Sequence, residues 1–266
     1  MFGISKFLPY QALSAYYKLD FAYNFIKAEA TDKATCPVCG CHESKVFHYS
    51  LDNYSCIEKH DKYCCLDCGH LFATWMNGKD IGSLYALIPQ IEVLQENERK
   101  ELQKEMMLLG LKYYNGEGNI LDFGCGANFN ASKELRDEGY NAYSCDIMHG
   151  LPYGKHFFKY TEASSKLYKG EFSVISSVDV LEHLNTPIQD FKDFNSMLVP
   201  GGVMVHFSPM IEHFPLFGSH ADTAFHTCFF SEKSLRILCE KTGFELVNKV
   251  YKRDLAWYYI FRKITS

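Results

Sequence analysis

Nothing in this 266-residue chain approaches the run of about 18 apolar residues that a membrane-spanning helix needs. An excess of positive charge is missing too. The 27 Lys and Arg are outnumbered by 32 Asp and Glu, giving a formal charge of −5 and a pI of about 6.1. A broad electrostatic attraction to nucleic acid or to an anionic membrane surface is therefore not expected, although a local basic patch stays compatible with these totals. There is no internal repeat and no low-complexity tract. The opening residues also lack a continuous apolar core and a small-residue cleavage site, because Lys6, Pro9, Gln11 and Lys18 interrupt them. Residues 1–30 read instead as a helical arm packing on the body, with an amphipathic membrane-surface segment as the alternative.

What the chain does hold is a soluble globular composition, 47% hydrophobic and 22% charged, with 18 Tyr and 21 Phe. Its 11 cysteines are unevenly placed: seven fall between Cys36 and Cys68, while Cys125, Cys145, Cys228 and Cys239 are scattered. A chain of this size needs no disulfides to build a core, so the clustering points to a metal and to a reducing, cytoplasmic location. "CPVCGCH" and "YCCLDCGHLF" supply two C-x2-C knuckles, Cys36/Cys39 and Cys65/Cys68, followed by Gly40 and Gly69. The 25 residues between them suit a hairpin. Four thiolates would close a tetrahedral zinc site with no open position, so the expected role of Zn2+ is structural. Cys41, His42, Cys56, Cys64 and His70 crowd the same segment as alternative ligands, and an iron–sulfur cluster is the competing metal assignment. Segment 36–70 holds three lysines (Lys45, Lys59, Lys62) and five acids (Glu43, Asp52, Glu58, Asp61, Asp67), a poor balance for gripping phosphates.

Residues 84–109 read as a connecting helix, with Leu94, Leu102, Met106 and Leu109 near one face. From Asn119 onward strands and helices alternate. "NILDFG", "NAYSCDI", "HFFKYTEA", "EFSVISSVDV", "VMVHFS", "FELVNKV" and "AWYYIFRK" are the expected strands, with the third the weakest. Thr186, Pro187 and Gln189 resemble a capping box, and Ser231 and Gly243 bracket another helix. Strands separated by helices of this length imply right-handed crossovers and a mostly parallel sheet.

The stretch "NILDFGCGANFN" runs from a buried strand into Gly124-Cys125-Gly126, but lacks the third glycine of a dinucleotide turn: Phe129 stands there. In dinucleotide folds that glycine permits close helix–strand packing beneath a pyrophosphate. Its absence favours a ligand without one. Asp146 ends the next strand, 20 residues after Gly126, where an acid can accept both hydroxyls of a ribose.

Taken in order, "ILDFGCGANFN", "SCDI", "FSVISSVDVLEHL", "LVPGGVMVHFSP" and "FFSEKSLRILCEKTGFELV" resemble the motifs of class I S-adenosylmethionine-dependent methyltransferases, over roughly residues 84–262. The resemblance implies a Rossmann-like α/β fold, a doubly wound sheet that is mostly parallel with an antiparallel last strand. It also implies S-adenosylmethionine as cofactor, with Asp122, Gly124, Cys125, Gly126 and Asn128 around its amino-acid end and Asp146 on the ribose. Thr161 would lie near the adenine, and Val178 and Asp179 near the sulfonium. A strand end and a helix cap account for Val178 and Asp179 equally well. Cys125 is expected to fill space, because a nucleophile needs exposure and a partner base. A zinc-ribbon-like module ahead of a D-V-L-E-H domain resembles some sugar and natural-product methyltransferases, in which the module helps form a substrate pocket and lid. The implied division is an arm at 1–30, a zinc module at 31–80 and a methyltransferase domain at 84–266.

An oxygen acceptor must lose a proton, and His183, His220 and His226 fall where the family places its substrate face. Hydrogen-bonded structural histidines are the alternative there. The acceptor expected is a small molecule, such as a nucleotide-linked sugar or another polysaccharide or natural-product precursor. An RNA or protein methyltransferase guided by the zinc module and a catalytically silent scaffold are the competing assignments.

Overall fold

Strands built mostly of apolar or small residues belong in the middle of a sheet with both faces covered. β5 (Ile120–Phe123) and β8 (Phe172–Val178) are of this kind, and every residue in both is buried. The computed structural model describes residues 10–49, 59–75, 77, 96–127, 129–211, 221, 223–253 and 256–265. Within these, β5 and β8 centre a seven-stranded sheet that also holds β6 (Ala142–Asp146), β7 (Phe157–Lys159), β9 (Leu198–Pro209), β11 (Phe244–Arg253) and β12 (Ala256–Lys263). The order is β11-β12-β9-β8-β5-β6-β7. The pairings β5–β6, β5–β8, β6–β7 and β8–β9 are parallel, while the last strand, β12, runs antiparallel to β9 and β11. The expected doubly wound sheet with one reversed strand is therefore present. Strand order reverses between β5 and β8, so the crevice for a ligand opens beyond their carboxyl ends.

Helices cover both faces, the shorter α3 (Asn130–Asp137) and α4 (Ser164–Leu167) among them. On one lies α2 (Glu96–Tyr114), which runs five residues past the expected end at Leu109. Met106 and Met107 are fully buried, and Leu102 nearly so; Leu94 lies outside the described residues. Gly110 lets α2 approach β8, since a Cβ there would sit 2.2 Å from Val174 Cγ1. On the other face α5 (Pro187–Met197) and α6 (Glu232–Thr242) place Phe191, Phe194, Leu235 and Leu238 against Phe244 and Phe261. Fully burying each such side chain stabilises the fold by roughly 1.5–3 kcal/mol.

The two helix starts differ. At α6 the Ser231 side chain accepts from Ser234 N–H, its own N–H is held by the Ser234 hydroxyl, and Gly243 ends the helix at φ +75°. At α5 the expected capping box is absent. Thr186 has ψ 58° rather than an extended value, which turns its hydroxyl toward Asp190 Oδ2 at 3.2 Å, and Gln189 donates to Asp193 instead.

A second, antiparallel sheet carries the cysteines. It runs β1 (Glu29–Thr31), β2 (Ser44–Tyr49), β3 (His60–Cys65), β4 (Leu71–Phe72) and then β10 (Cys228–Phe229). The β2–β3 pair is the hairpin expected between the knuckles. Its last strand comes from the far side of β9, so the cysteine sheet is completed by the chain of the parallel-sheet body. α1 (Tyr10–Lys27) lays Phe21 and Phe25 on a cluster containing Phe47, Tyr49, Leu71 and Phe229. No helix among the described residues is long and apolar enough to cross a membrane.

His206 on β9 is fully buried among aromatic rings, its Nδ1 bonded to Ser177 Oγ and its Nε2 without a hydrogen-bond partner among the described residues. Burial pushes its pKa down to about 3. Folded, it stays neutral where the unfolded chain takes up a proton, so its contribution is complete above about pH 6.5 and is lost as pH falls toward 3. Urea unfolding at pH 7 and pH 5 should show His206→Phe gaining on the native chain by about 2 kcal/mol at the lower pH. A pH-independent difference between the two chains would contradict this.

Candidate functional site

At the carboxyl end of β5 the chain turns through Gly124 and Gly126, at φ +71° and +69°. A Cβ on Gly124 would lie 2.5 Å from Val180 Cγ2, so this turn is closed to any side chain. The N–H groups of Gly124 and Cys125 both donate to the Cys145 carbonyl, at 2.9 and 3.2 Å, which locks the turn to β6. Asp146 ends β6. Its Oδ2 accepts from Gly126 N–H at 2.7 Å and its Oδ1 from Met148 N–H at 2.9 Å, leaving each oxygen a further lone pair for a hydroxyl. Burial raises its pKa, against the pull of these amides.

Asp122 lies deeper. It is fully buried, and neither carboxylate oxygen has a hydrogen-bond partner among the described residues. Burial lifts its pKa to about 8, with Arg99 lowering it and Asp146 raising it. A buried carboxylate without donors is costly unless a cation or donor reaches it. Beside the glycine turn, it fits the ammonium of an amino-acid ligand such as the methionine end of S-adenosylmethionine. Cys125 is buried, its thiol turned to the Gly126 carbonyl at 3.3 Å and its pKa pushed well up by burial. A thiol so held does not act as a nucleophile. Thr161 follows β7 and is exposed, its N–H bound by Ser164 Oγ. Asn128 lies outside the described residues.

On the other side of the crevice β8 ends at Val178, and Asp179 takes the left-handed conformation at φ +53°. Arg99, from α2, donates to the Val178 carbonyl at 3.2 Å and pairs with Asp179 at 3.7 Å. Its charge is felt at Asp122, Asp146, Glu182 and His183. One helix turn further along, Gln103 reaches the Cys125 carbonyl at 3.5 Å.

A 3-10 turn, Leu181–His183, brings Glu182 and His183 to His226, so that one ligand atom of each lies within 4.8 Å of the others. The two imidazoles meet edge to face, centroids 4.7 Å apart. Glu182 Oε2 accepts from Ser208 Oγ at 3.0 Å, and His183 Nδ1 donates to the Phe225 carbonyl at 3.0 Å. Burial lifts the Glu182 pKa to about 8 and lowers that of His183 to about 4. His213 and His220 lie outside the described residues.

The four predicted metal ligands converge. Cys36 and Cys68 Sγ are 3.6 Å apart, Cys39 and Cys65 Sγ 3.4 Å, and all four sulfurs lie within 4.8 Å of one another. The knuckles repeat each other: Gly40 N–H returns to the Cys36 carbonyl and Gly69 N–H to that of Cys65, each at 3.0 Å. A thiol hydrogen bond from Cys68 draws Cys36 down to about 5, and the same bond holds the Cys68 proton on. Four thiolates packed this closely fit a divalent ion such as Zn2+. Cys64 turns to the Gly69 carbonyl and Cys41 to that of Glu43, away from the cluster. His42 meets Thr35, and His70 is buried against Phe72, Phe230 and Cys228. Cys56 lies outside the described residues.

The cysteine sheet also grips the loop that carries His226. Lys62, fully buried on β3, donates to the carbonyls of Ala221 and Thr223, and its ammonium lies near the Tyr49 and Phe229 rings. Trp75 Nε1 donates to the Ala224 carbonyl at 2.9 Å and its ring meets Phe225 edge on. Ser231 Oγ holds the Cys68 carbonyl, and Ala73 N–H that of Thr227. Arg99, Gln103 and Lys62 were not singled out from sequence, whereas Glu182 enters there only as the neighbour of His183 in the pair that the resemblance sets beside the active site. The i, i+4 spacing of Arg99 and Gln103, next to buried Met106, was the available signal for two of them.

The family model for a methyltransferase domain matches residues 94–249. The crystal structure of the PH0226 protein from Pyrococcus horikoshii OT3 is similar at a TM-score of 0.50 and 15% identity, covering 67% of this chain and 97% of that one. A SAM-dependent methyltransferase from Archaeoglobus fulgidus gives 0.49 at 17% identity, with 65% and 100% covered. A 1,6-didemethyltoxoflavin-N1-methyltransferase from Burkholderia thailandensis, solved with S-adenosylhomocysteine, gives 0.46 at 14%, with 65% and 82% covered. At 15% identity the first of these likenesses is one of fold alone. No curated protein matches the sequence.

Elemental analysis of the purified chain should find one zinc held by the four thiolates. Cys65→Ser should lose it, whereas Cys64→Ser should retain it with normal stoichiometry. Loss of zinc from the Cys64 variant alone would reverse the ligand register.

Proposed function

The chain belongs to the methyltransferase-domain family, and we propose that it transfers the methyl group of S-adenosylmethionine to a small-molecule acceptor, such as a nucleotide-linked sugar or another polysaccharide or natural-product precursor. When bound, S-adenosylmethionine would supply a sulfonium methyl to an acceptor lone pair, the S–C electrons staying with sulfur as a neutral thioether. The chain's own residues bind, align and manage a proton. Asp122 and the Gly124–Gly126 turn take the amino-acid end, and Asp146 takes the ribose. Thr161 lies toward the adenine, while Val178 and Asp179 border the methyl. Glu182, His183 and His226 face the acceptor and handle the proton or charge that its nucleophile sheds.

The observation that carries this reading is the placement of Arg99, which binds the end of β8 through the Val178 carbonyl and Asp179 and lowers both Asp122 on the cofactor side and Glu182 on the acceptor side. A small acceptor is supported by how basic groups near the loop are used. Lys62 is spent on backbone carbonyls, Lys233 pairs with Asp67, and Lys241 donates to the Val38 carbonyl. These leave no track for a phosphate backbone among them. Isotopically labelled cofactor incubated with a metabolite pool, with RNA and with protein should label the metabolite fraction; label confined to RNA or protein would replace the acceptor class.

S-adenosylhomocysteine should raise the melting temperature, and Asp146→Ala should abolish the shift. His226→Ala should keep that shift but lose roughly 10²–10⁴-fold in turnover; normal turnover would remove the cluster from the reaction. Cofactor affinity carries its own pH signature. Below about pH 8 the empty site keeps Asp122 protonated. A bound ammonium favours the carboxylate, so binding releases a proton and tightens as pH rises toward 8. Calorimetry in two buffers should show this release, and Asp122→Asn should lack it.

A further inference from the structure

Beyond its part in methyl transfer, the geometry points to Glu182, His183 and His226 as the ligands of a divalent first-row transition-metal ion, bound apart from the four-cysteine site and facing the acceptor. This rests on the proposed function only in placing the cluster at the acceptor end of the crevice. Two histidines and one carboxylate are the donor set that holds such ions on one face and leaves other coordination positions open.

Three observations carry it. The first is convergence: one ligand atom from each residue lies within 4.8 Å of the other two, close enough for small side-chain movements to close a coordination sphere. Second, each of the two ligands from the 3-10 turn is already oriented by a second group. Ser208 Oγ donates to Glu182 Oε2, and His183 donates through Nδ1 to the Phe225 carbonyl. A carbonyl can only accept, so His183 is fixed in the tautomer whose Nε2 carries the lone pair. Outer hydrogen bonds of this kind are what position histidine and carboxylate on a metal. Third, the backbone around the trio is stitched together from both sides. Thr227 N–H donates to the Glu182 carbonyl at 2.7 Å, Thr227 Oγ1 to Asn185 Oδ1 at 3.0 Å, and His226 N–H to the Thr223 carbonyl at 3.1 Å. The ligands therefore sit on a fixed frame rather than a loose loop.

Burial gives the site a direction. Glu182 is closed off from solvent, whereas both imidazoles are half-buried. The open coordination positions thus face outward on the histidine side, where an acceptor oxygen would arrive. A divalent ion there would bind that oxygen and lower the pKa of its hydroxyl.

Mn2+ is the probe, because thiolates do not favour it and the four-cysteine site should leave it alone. Titration of the zinc-loaded full chain, followed by the loss of the free-ion electron paramagnetic resonance signal, should reveal one Mn2+ per chain. Glu182→Gln, which keeps the shape and the Ser208 contact, and His226→Ala should each weaken binding at least tenfold with zinc content unchanged. Ser208→Ala, which touches only the outer hydrogen bond, should weaken it by about 10-fold. No Mn2+ binding, or binding indifferent to all three substitutions, overturns the site. Methyl transfer separates this from the underlying reading. Turnover lost in His226→Ala but indifferent to added Mn2+ and to a mild chelator leaves the cluster in the reaction and removes the metal. Mn2+ bound at the trio while turnover survives His226→Ala keeps the metal and removes the cluster from the acceptor end.

Discussion

A lysine with no exposed surface holds the two halves of this molecule in register. Lys62 carries its ammonium into the seam between the cysteine sheet and the body and donates to two carbonyls of the 221–223 segment. Burying an ammonium costs far more than any single contact returns unless its donors are satisfied. Here carbonyl oxygens and the faces of Tyr49 and Phe229 supply that compensation. The compensation exists only while the loop before β10 keeps its course. That loop leads directly to His226, so the position of a candidate acceptor-side residue is tied to a cation on the cysteine sheet.

The rest of the seam follows the same logic. β10 pairs with β4, so backbone hydrogen bonds of the cysteine sheet are completed by chain that follows β9. Cys36, Cys65 and Cys68 share one apolar cluster with Phe191, Phe230 and Leu235. The Ser231 cap of α6 is shared with the Cys68 carbonyl. A metal drawn from the four thiolates would therefore slacken a knuckle that braces the start of α6 and the strand beside His226. The cofactor turn, braced by β6 and α2, has no such dependence. Under the proposed function, a metal held by the four thiolates would support the acceptor side and leave the cofactor side to the parallel sheet.

Much of this was legible in the sequence. Continuous apolar runs announced the central strands, and the Gly124-Cys125-Gly126 turn with Asp146 announced the crevice. The C-x2-C spacing singled out Cys36, Cys39, Cys65 and Cys68, and the side chains of Cys41 and Cys64 do turn away. What stayed hidden depends on contacts between distant segments. Lys62 reads as one surface lysine among several until β3 places it against residues about 160 positions later. Arg99 reads as part of a solvated helix face until α2 packs across the end of β8. Glu182 is one step from His183 in sequence, yet its burial and its bond to Ser208 come from β9. The α5 cap failed for a local reason: the motif was present, but the backbone at Thr186 is not extended.

The charges around the crevice bear on turnover as well as on binding. Asp122, Asp146, Asp179 and Glu182 gather at one end of the sheet, with Arg99 the cation that lowers Asp122, Asp146 and Glu182 and pairs with Asp179. Such an acidic surround favours a positively charged guest. Under the proposed function the donor enters with a sulfonium and leaves as a neutral thioether, so methyl transfer itself removes the charge that the carboxylates hold. Donor and product then differ in affinity without any change of shape, and product release is helped by the reaction just completed. Burial limits how far this goes. Arg99 favours the charged forms, yet burial still holds Asp122 and Glu182 up to about 8, so the electrostatic preference for the charged donor strengthens as pH rises toward 8.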